Sequence, residues 1–138
     1  MNKKKVQLTT YIGIIPFCLP IVYNFYVESD IKHINLVKIS LVYGSLISSF
    51  LSGMQWEKLI SNHFKVAFIA IIPLVMVLFQ FFEESIYLST IIIILALLIN
   101  LIIDLTLLSN LREFWFIRMR IIVTGLVSTS LIINYLSI

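Results

Sequence analysis

Charged residues are scarce in this chain, and their scarcity excludes most water-soluble folds. Of its 138 residues, 12% are charged and 60% are hydrophobic, whereas soluble domains carry about a quarter charged residues. The mean hydropathy is +1.05. The apolar residues stand in long unbroken runs rather than in the one-sided stripe of a surface helix. This pattern predicts helices that are surrounded by lipid.

Cysteine pairs and the motifs of common enzymes are missing as well. The single cysteine, Cys18, lies in the first apolar run and has no second cysteine with which to form an internal disulfide. The sequence contains no His-Glu-x-x-His, Gly-x-Ser-x-Gly or P-loop pattern. Its two histidines, His33 and His63, are predicted on opposite sides of the membrane, where they would not share a metal or haem. We therefore expect no enzyme, no cofactor and no metal site.

The apolar runs have the length that a hydrocarbon core about 30 Å thick requires of a helix. The polar connections between them are too short to hold a further domain. The predicted fold class is all-α, a polytopic membrane helix bundle that forms a single domain over residues 1–138 and has five transmembrane helices. The predicted spans are residues 6–26, 36–54, 64–82, 86–108 and 116–136.

Basic residues are distributed unevenly over the predicted connections. Eight of the ten lysines and arginines fall on the side of the N-terminus, and only Lys32 and Lys38 fall on the other side. The positive-inside rule then makes the N-terminus cytoplasmic and leaves the C-terminus on the outer side. Because the basic residues are dispersed among these flanks, the net charge of +3 does not indicate nucleic-acid binding.

The N-terminal segment bears on the choice of membrane. It begins like a secretory signal but has no small-residue cleavage site, and it lacks the Arg- and Ser-rich leader of an imported mitochondrial precursor. We therefore expect a multi-pass protein of the bacterial inner (cytoplasmic) membrane and favour the mitochondrial inner membrane less.

Small residues form a face along the second predicted span. Ser40, Gly44, Ser48 and Ser52 recur at four-residue spacing, and Gly53 belongs to an adjoining row. In lipid, close backbone approach and hydrogen bonds between helices drive association, and small residues permit both. We predict that this face packs against other helices. The alternative is a serine-lined polar conduit, which is less favoured because serines in spans usually bond to the backbone or to neighbouring helices.

The fourth predicted span contains two polar residues one turn apart, Asn100 and Asp104. Asp104 is the only acid inside a predicted span, and an intramembrane carboxylate raises the question of function. It lies near the cytoplasmic end of its helix, where Arg118 and Arg120 open the fifth span. A structural ion pair with one of these arginines is favoured over a proton-relay or substrate role.

Polar and aromatic residues near the cytoplasmic ends of the second, fourth and fifth predicted spans are predicted to form one cluster. Such a cluster is suited to bind a headgroup, a small anion or the loop of a partner. An ordinary aromatic belt at the interface is the alternative explanation for its two tryptophans. The members of the cluster are Gln55, Trp56, Asn100, Asp104, Trp115, Arg118 and Arg120.

Of the three prolines, which all lie inside predicted spans, Pro16 in the first and Pro73 in the third are interpreted as helix kinks. Each removes a backbone donor and is expected to kink its helix. Such kinks are common in membrane helices and need not act as gates.

Four segments resemble a known family. They are Gly13–Phe17, Tyr43–Trp56, Asp104 and Trp115–Thr124, and the second is the most specific. They are similar to the domain-of-unknown-function family 3429, a family of small membrane proteins that is itself similar to vertebrate transmembrane protein 69 of mitochondria. The resemblance covers nearly the whole chain. It implies a bacterial or mitochondrial inner-membrane protein and supplies no activity.

One departure from the family pattern lies at the end of the second span. Where the family usually has Gly-Gly and then, one residue on, His-Trp, this chain has Ser52-Gly53 and Gln55-Trp56. A role that needed this histidine would be lost here.

The leading functional hypothesis is a non-enzymatic accessory or assembly subunit that acts through helix–helix contacts. Its expected partners are membrane lipids and either other membrane-protein subunits or further copies of the chain in a homo-oligomer. The alternative is a small oligomeric transporter or channel that uses Asp104 and the polar face of the second span.

Overall fold

The computed structural model describes residues 2–27 and 30–138. The predicted connection at Glu28 and Ser29 lies outside the described residues. The described residues form six α-helices and two short 3₁₀ segments and contain no strand. The α-helices are α1 (Lys3–Ile12), α2 (Ile15–Tyr26), α3 (Asp30–Asn62), α4 (Ile71–Phe82), α5 (Ile86–Thr106) and α6 (Phe114–Leu136), and the 3₁₀ segments are Phe64–Ala70 and Ser109–Leu111.

Five helical segments in the described residues are long and apolar enough to cross a membrane. This confirms the prediction of an all-helical chain with five candidate spans. The segments are Lys3–Tyr26, Ile31–Asn62, Phe64–Phe82, Ile86–Thr106 and Phe114–Leu136.

The helix α3 is much longer than the predicted span 36–54, because it contains 33 residues. At 1.5 Å per residue it extends about 50 Å, whereas the hydrocarbon core measures about 30 Å. Its last turns are polar, and the Nδ2 of Asn62 donates to the carbonyl of Lys58. The apolar run therefore predicts the part of α3 that suits lipid, but the helix itself continues beyond that run.

Pro16 and Pro73 lie at the starts of α2 and α4 instead of in the middle of continuous α-helices, whereas the third proline, Pro20, lies inside α2. The first span is interrupted at Gly13 and Ile14, and Pro16 follows in the first turn of α2. The third span opens as a 3₁₀ segment, and Pro73 lies in the first turn of α4. The first turn of a helix has no intrahelical acceptor for its N–H groups, so proline removes no helical hydrogen bond there.

The interior of the bundle is formed by α3 and α5, against which α2, α4 and α6 pack, while α1 lies against α6. One apolar cluster joins α2, α3, α5 and α6 through side chains that include Phe17, Leu41, Ile93 and Leu131. A second cluster lies where α3 ends, around Leu59 and four further residues, Ala67, Ala70, Ile103 and Leu108. One face of α3 is thus enclosed by protein, and many large apolar side chains of α3 and of the other helices stay exposed, as lipid-facing residues would.

Gly44 lies where α3 approaches both α2 and α5. A Cβ atom at this position would meet Ile93 Cγ2 at 3.0 Å and Phe17 Cε1 at 3.3 Å. Both partners are fully buried, so neither has free space into which it can move. The missing side chain of Gly44 therefore sets the distance between these helices.

We expect Gly44→Val to lower the free energy of unfolding by about 1–3 kcal/mol, since it overpacks a closed interior. The matched control is Gly125→Val in α6, where a Cβ atom would meet nothing within 4 Å. Unfolding in mixed micelles with a denaturing detergent measures both changes. Equal stabilities of the two variants would contradict the assigned role of Gly44.

Candidate functional site

Asn100 connects α5 to α3 at four points in the interior of the bundle. Its Nδ2 donates to Ser48 Oγ at 3.0 Å and lies 3.4 Å from the Ser48 carbonyl, and its Oδ1 accepts from Ser52 Oγ at 3.2 Å. The backbone carbonyl of Asn100 accepts from Gln55 Nε2 at 2.7 Å. Asn100 and Ser48 are completely buried. The amide therefore fixes the register between the two helices by bonds to three successive turns of α3.

A second polar contact joins α3 to α4. Ser45 Oγ donates to Gln80 Oε1 at 2.7 Å, and both side chains are buried. Sequence reasoning missed Gln80, which is a single polar residue in a long apolar run. Its isolation was the available signal, because a lone amide in a span needs a partner inside the protein.

The small-residue face predicted on the second span is used within the chain. Ser40, Gly44, Ser48 and Ser52 are all buried between helices. Gly53 is exposed, because it belongs to the adjoining row that faces away from α5. The structure thus divides the predicted face into an internal row and an open edge.

Asp104 lies between two arginines at the end of α5. Arg120 of α6 donates from Nε to Asp104 Oδ2 at 3.0 Å, and Nη2 of Arg112 lies 3.6 Å from Asp104 Oδ1. The three side chains are between 2% and 8% exposed. The guanidinium of Arg112 also stacks over the ring of Phe116, 4.6 Å from its centre. Two cations therefore share one buried carboxylate, and this charge cluster carries an excess of one positive charge.

Arg120 pairs with Asp104, whereas Arg118 does not. Two residues along an α-helix correspond to about 200° of rotation, so neighbouring basic residues at this spacing point in nearly opposite directions. Arg120 is buried against α5, and Arg118 is exposed. The second arginine at Asp104 is Arg112, which precedes α6 and was not among the predicted partners. Its position in the short connection from α5 to α6 was the signal that sequence reasoning overlooked.

The two tryptophans form no hydrogen bond with the charge cluster in the described part of the chain, although the ring of Trp115 packs edge-on against Phe116, over which Arg112 stacks. Trp56 is 38% exposed and borders a groove between α3 and α4. Trp115 donates from Nε1 to Glu113, and Lys3 Nζ lies 3.2 Å from the same carboxylate. From the predicted cluster, hydrogen bonds join Gln55 to Asn100 and Arg120 to Asp104, and among the described residues Trp56, Trp115 and Arg118 form no hydrogen bond with these four.

Glu113 forms an exposed contact between the start of α6 and the start of α1. The hydrogen bond from Trp115 and the ammonium of Lys3 together lower the pKa of Glu113 below its usual value. The carboxylate is therefore charged where the two helix ends meet. Glu113 itself lies outside the five spans, and its contact with Lys3 places the beginnings of α1 and α6 on the same side of the bundle.

Several buried polar atoms of the site keep unused bonding capacity. Arg112 Nε, Arg120 Nη2, Gln55 Oε1 and Asp104 Oδ1 have no hydrogen-bond partner within the described ranges, although Asp104 Oδ1 lies 3.6 Å from Arg112 Nη2. Among the described residues, no group of three or more His, Cys, Asp or Glu side chains is arranged to hold a metal ion. With its excess positive charge, the cluster is chemically suited to bind an anionic group.

The model of the family described as "Protein of unknown function (DUF3429)" matches residues 2–136 of the chain. No curated protein and no solved structure matches it.

We expect Asp104→Ala to destabilise the protein more than Arg120→Ala does. Removing the carboxylate leaves two buried arginines without a counter-charge, at a cost of about 3–5 kcal/mol for a broken buried pair. Removing Arg120 leaves Asp104 with Arg112. The unfolding free energies of both variants and of the double variant give the coupling energy, which we expect to be about 0.5–3 kcal/mol.

Arg118→Ala is the control for this cycle, because Arg118 is exposed on the same helix. We expect it to change stability by no more than about 0.5 kcal/mol and to show no coupling to Asp104→Ala. A coupling between Asp104 and Arg118 equal to that between Asp104 and Arg120 would contradict the arrangement of the charge cluster.

Proposed function

The chain belongs to the DUF3429 family, and from this premise we propose that it is a non-enzymatic membrane protein that acts as an accessory or assembly subunit. Its means of action is contact between its own helices and those of partner subunits. The observation that carries the proposal is an open groove with small residues on its wall, between α3 and α4.

The groove has a volume of about 320 Å³ and is lined by seven residues, Ser49, Ser52, Gly53, Trp56, Ala70, Ile71 and Leu74. Ser49 and Gly53 are one turn apart, and a Cβ atom at Gly53 would meet nothing within 4 Å. Small residues at this spacing let a second helix approach closely in lipid. The exposed ring of Trp56 adds an aromatic anchor of the kind that concentrates binding energy at interfaces.

The interior polar residues favour a structural role over transport. Ser45, Ser48, Ser52 and Asn100 hydrogen-bond to other side chains of the bundle, so their polar groups are already occupied. A path for a solute along this face would have to replace these bonds. A small oligomeric transporter that uses Asp104 is therefore the less supported alternative.

The proposed location is a bacterial inner membrane, with the N-terminus in the cytoplasm and the C-terminus on the outer side. Its support is the positive-inside rule, since basic residues are concentrated around the ends that include Lys3 and Arg112. On the opposite side, Lys38 shares a cavity of about 510 Å³ with Glu83 and Glu84. A relationship to vertebrate transmembrane protein 69 belongs to the same proposal and has its support in the motif Tyr43–Trp56.

This orientation predicts which loops an impermeant maleimide reaches in intact cells. In a Cys18→Ser background, which has no other cysteine, we expect Glu84→Cys to be labelled at once and Ser61→Cys only after permeabilisation. Both positions are exposed. The opposite labelling pattern would reverse the proposed topology.

Purification in a mild detergent tests the accessory role. We expect the wild-type chain to recover partner subunits in stoichiometric amounts and Gly53→Leu to recover about tenfold less, since loss of close packing costs at least about 1.4 kcal/mol. Gly125→Leu is the matched control, because its site also has free space and lies on α6.

Two results would count against the accessory role. One is a monodisperse chain without partners, and the other is equal recovery by both glycine variants. Solute flux into proteoliposomes that is lost in Asp104→Asn would support the transporter instead.

A further inference from the structure

A second groove lies between α1, α3 and α6, on the opposite side of α3 from Ser49 and Gly53. Its volume is about 380 Å³, within the range of about 300–1,000 Å³ that is typical of ligand sites. Most of its lining is apolar, including Ile47, Leu51 and Val123. Among the described residues that line it, only Arg120 is charged.

The side chains of α1 line this groove but do not fill it. None of the side chains of α1 is buried, although Val6 and Thr10 line the groove. The break at Gly13 and Ile14 separates α1 from the packed helix α2. The groove is therefore a space that the protein's own side chains leave open beside the charge cluster.

Arg120 gives one end of the groove a positive charge that Asp104 only partly neutralises. Its Nε is bonded to Asp104, while its Nη2 is buried and has no hydrogen-bond partner. Arg112 shares the same carboxylate and stacks on Phe116, which also lines the groove. The groove is thus apolar along most of its length and positively charged at one end.

We propose that this groove binds one anionic phospholipid, whose acyl chain lies along Ile47, Leu51 and Val123 and whose phosphate pairs with Arg120. Helical side chains point towards the N-terminus of their helix, so Arg120 is directed towards the end at which α6 begins. A guanidinium with a free N–H is a strong phosphate ligand. Basic pockets between membrane helices bind anionic headgroups in this way.

Native mass spectrometry of the intact protein in mild detergent tests this site with two probes, phosphatidylglycerol and phosphatidylcholine. We expect the anionic lipid to bind about tenfold more tightly to the wild type. Arg120→Gln should remove this preference. The matched control is Arg118→Gln, which removes an exposed arginine from the same helix and should preserve it.

A third variant keeps the test valid if Arg120→Gln fails to fold. Val123→Trp fills the groove and leaves all three members of the charge cluster in place, so we expect about a tenfold loss of phosphatidylglycerol binding. Gly53→Leu, in the other groove, should bind this lipid normally, and this separates the lipid site from the proposed partner surface.

Three outcomes would overturn the proposal. The first is equal affinity of the wild type for both lipids, and the second is unchanged phosphatidylglycerol binding by Val123→Trp. The third is a dimer of the wild type that Val123→Trp dissociates, because the occupant of the groove would then be a second copy of the chain.

Discussion

Asn100 has to find its hydrogen-bond partners within the protein, because the interior of a bilayer offers no water. It finds them on α3, where Ser48, Ser52 and Gln55 lie on successive turns. An amide that is bonded in this way permits one register between two helices that apolar contacts alone would hold less specifically. The positions of Gly44 against Ile93 and of Asp104 against α6 both follow from that register.

Unlike the hydrogen bonds of Asn100, the charge cluster is a costly way to hold helices together. A buried ion pair is costly to desolvate, and a second arginine at the same carboxylate adds a charge without a matching acid. Arg112 is held in part by the ring of Phe116, and Arg120 keeps a nitrogen without a partner. Apolar packing would hold the ends of α5 and α6 together at lower cost, and the proposed phosphate would supply the negative charge that the cluster lacks.

The sequence predicts the helices well because lipid imposes one simple requirement, an apolar run of sufficient length. It predicts helix ends less well, since α3 continues through Glu57 and Asn62, which are polar but compatible with a helix. Which of Arg118 and Arg120 pairs with Asp104 depends on the face of α6 that meets α5, and this face is set by the packing of the whole bundle. Gln80 and Arg112 join the interior for the same reason, as tertiary packing gives them partners that local patterns do not reveal.

The 3₁₀ segment at the start of the third span affects how far that span reaches. The segment Phe64–Phe82 has 19 residues, the fewest of the five candidate spans, and as a pure α-helix it would measure about 28 Å. A 3₁₀ helix rises about 2.0 Å per residue, so the seven residues Phe64–Ala70 extend the span to about 32 Å. Local overwinding thus compensates for a short sequence, and it brings this span to the thickness of the surrounding hydrocarbon.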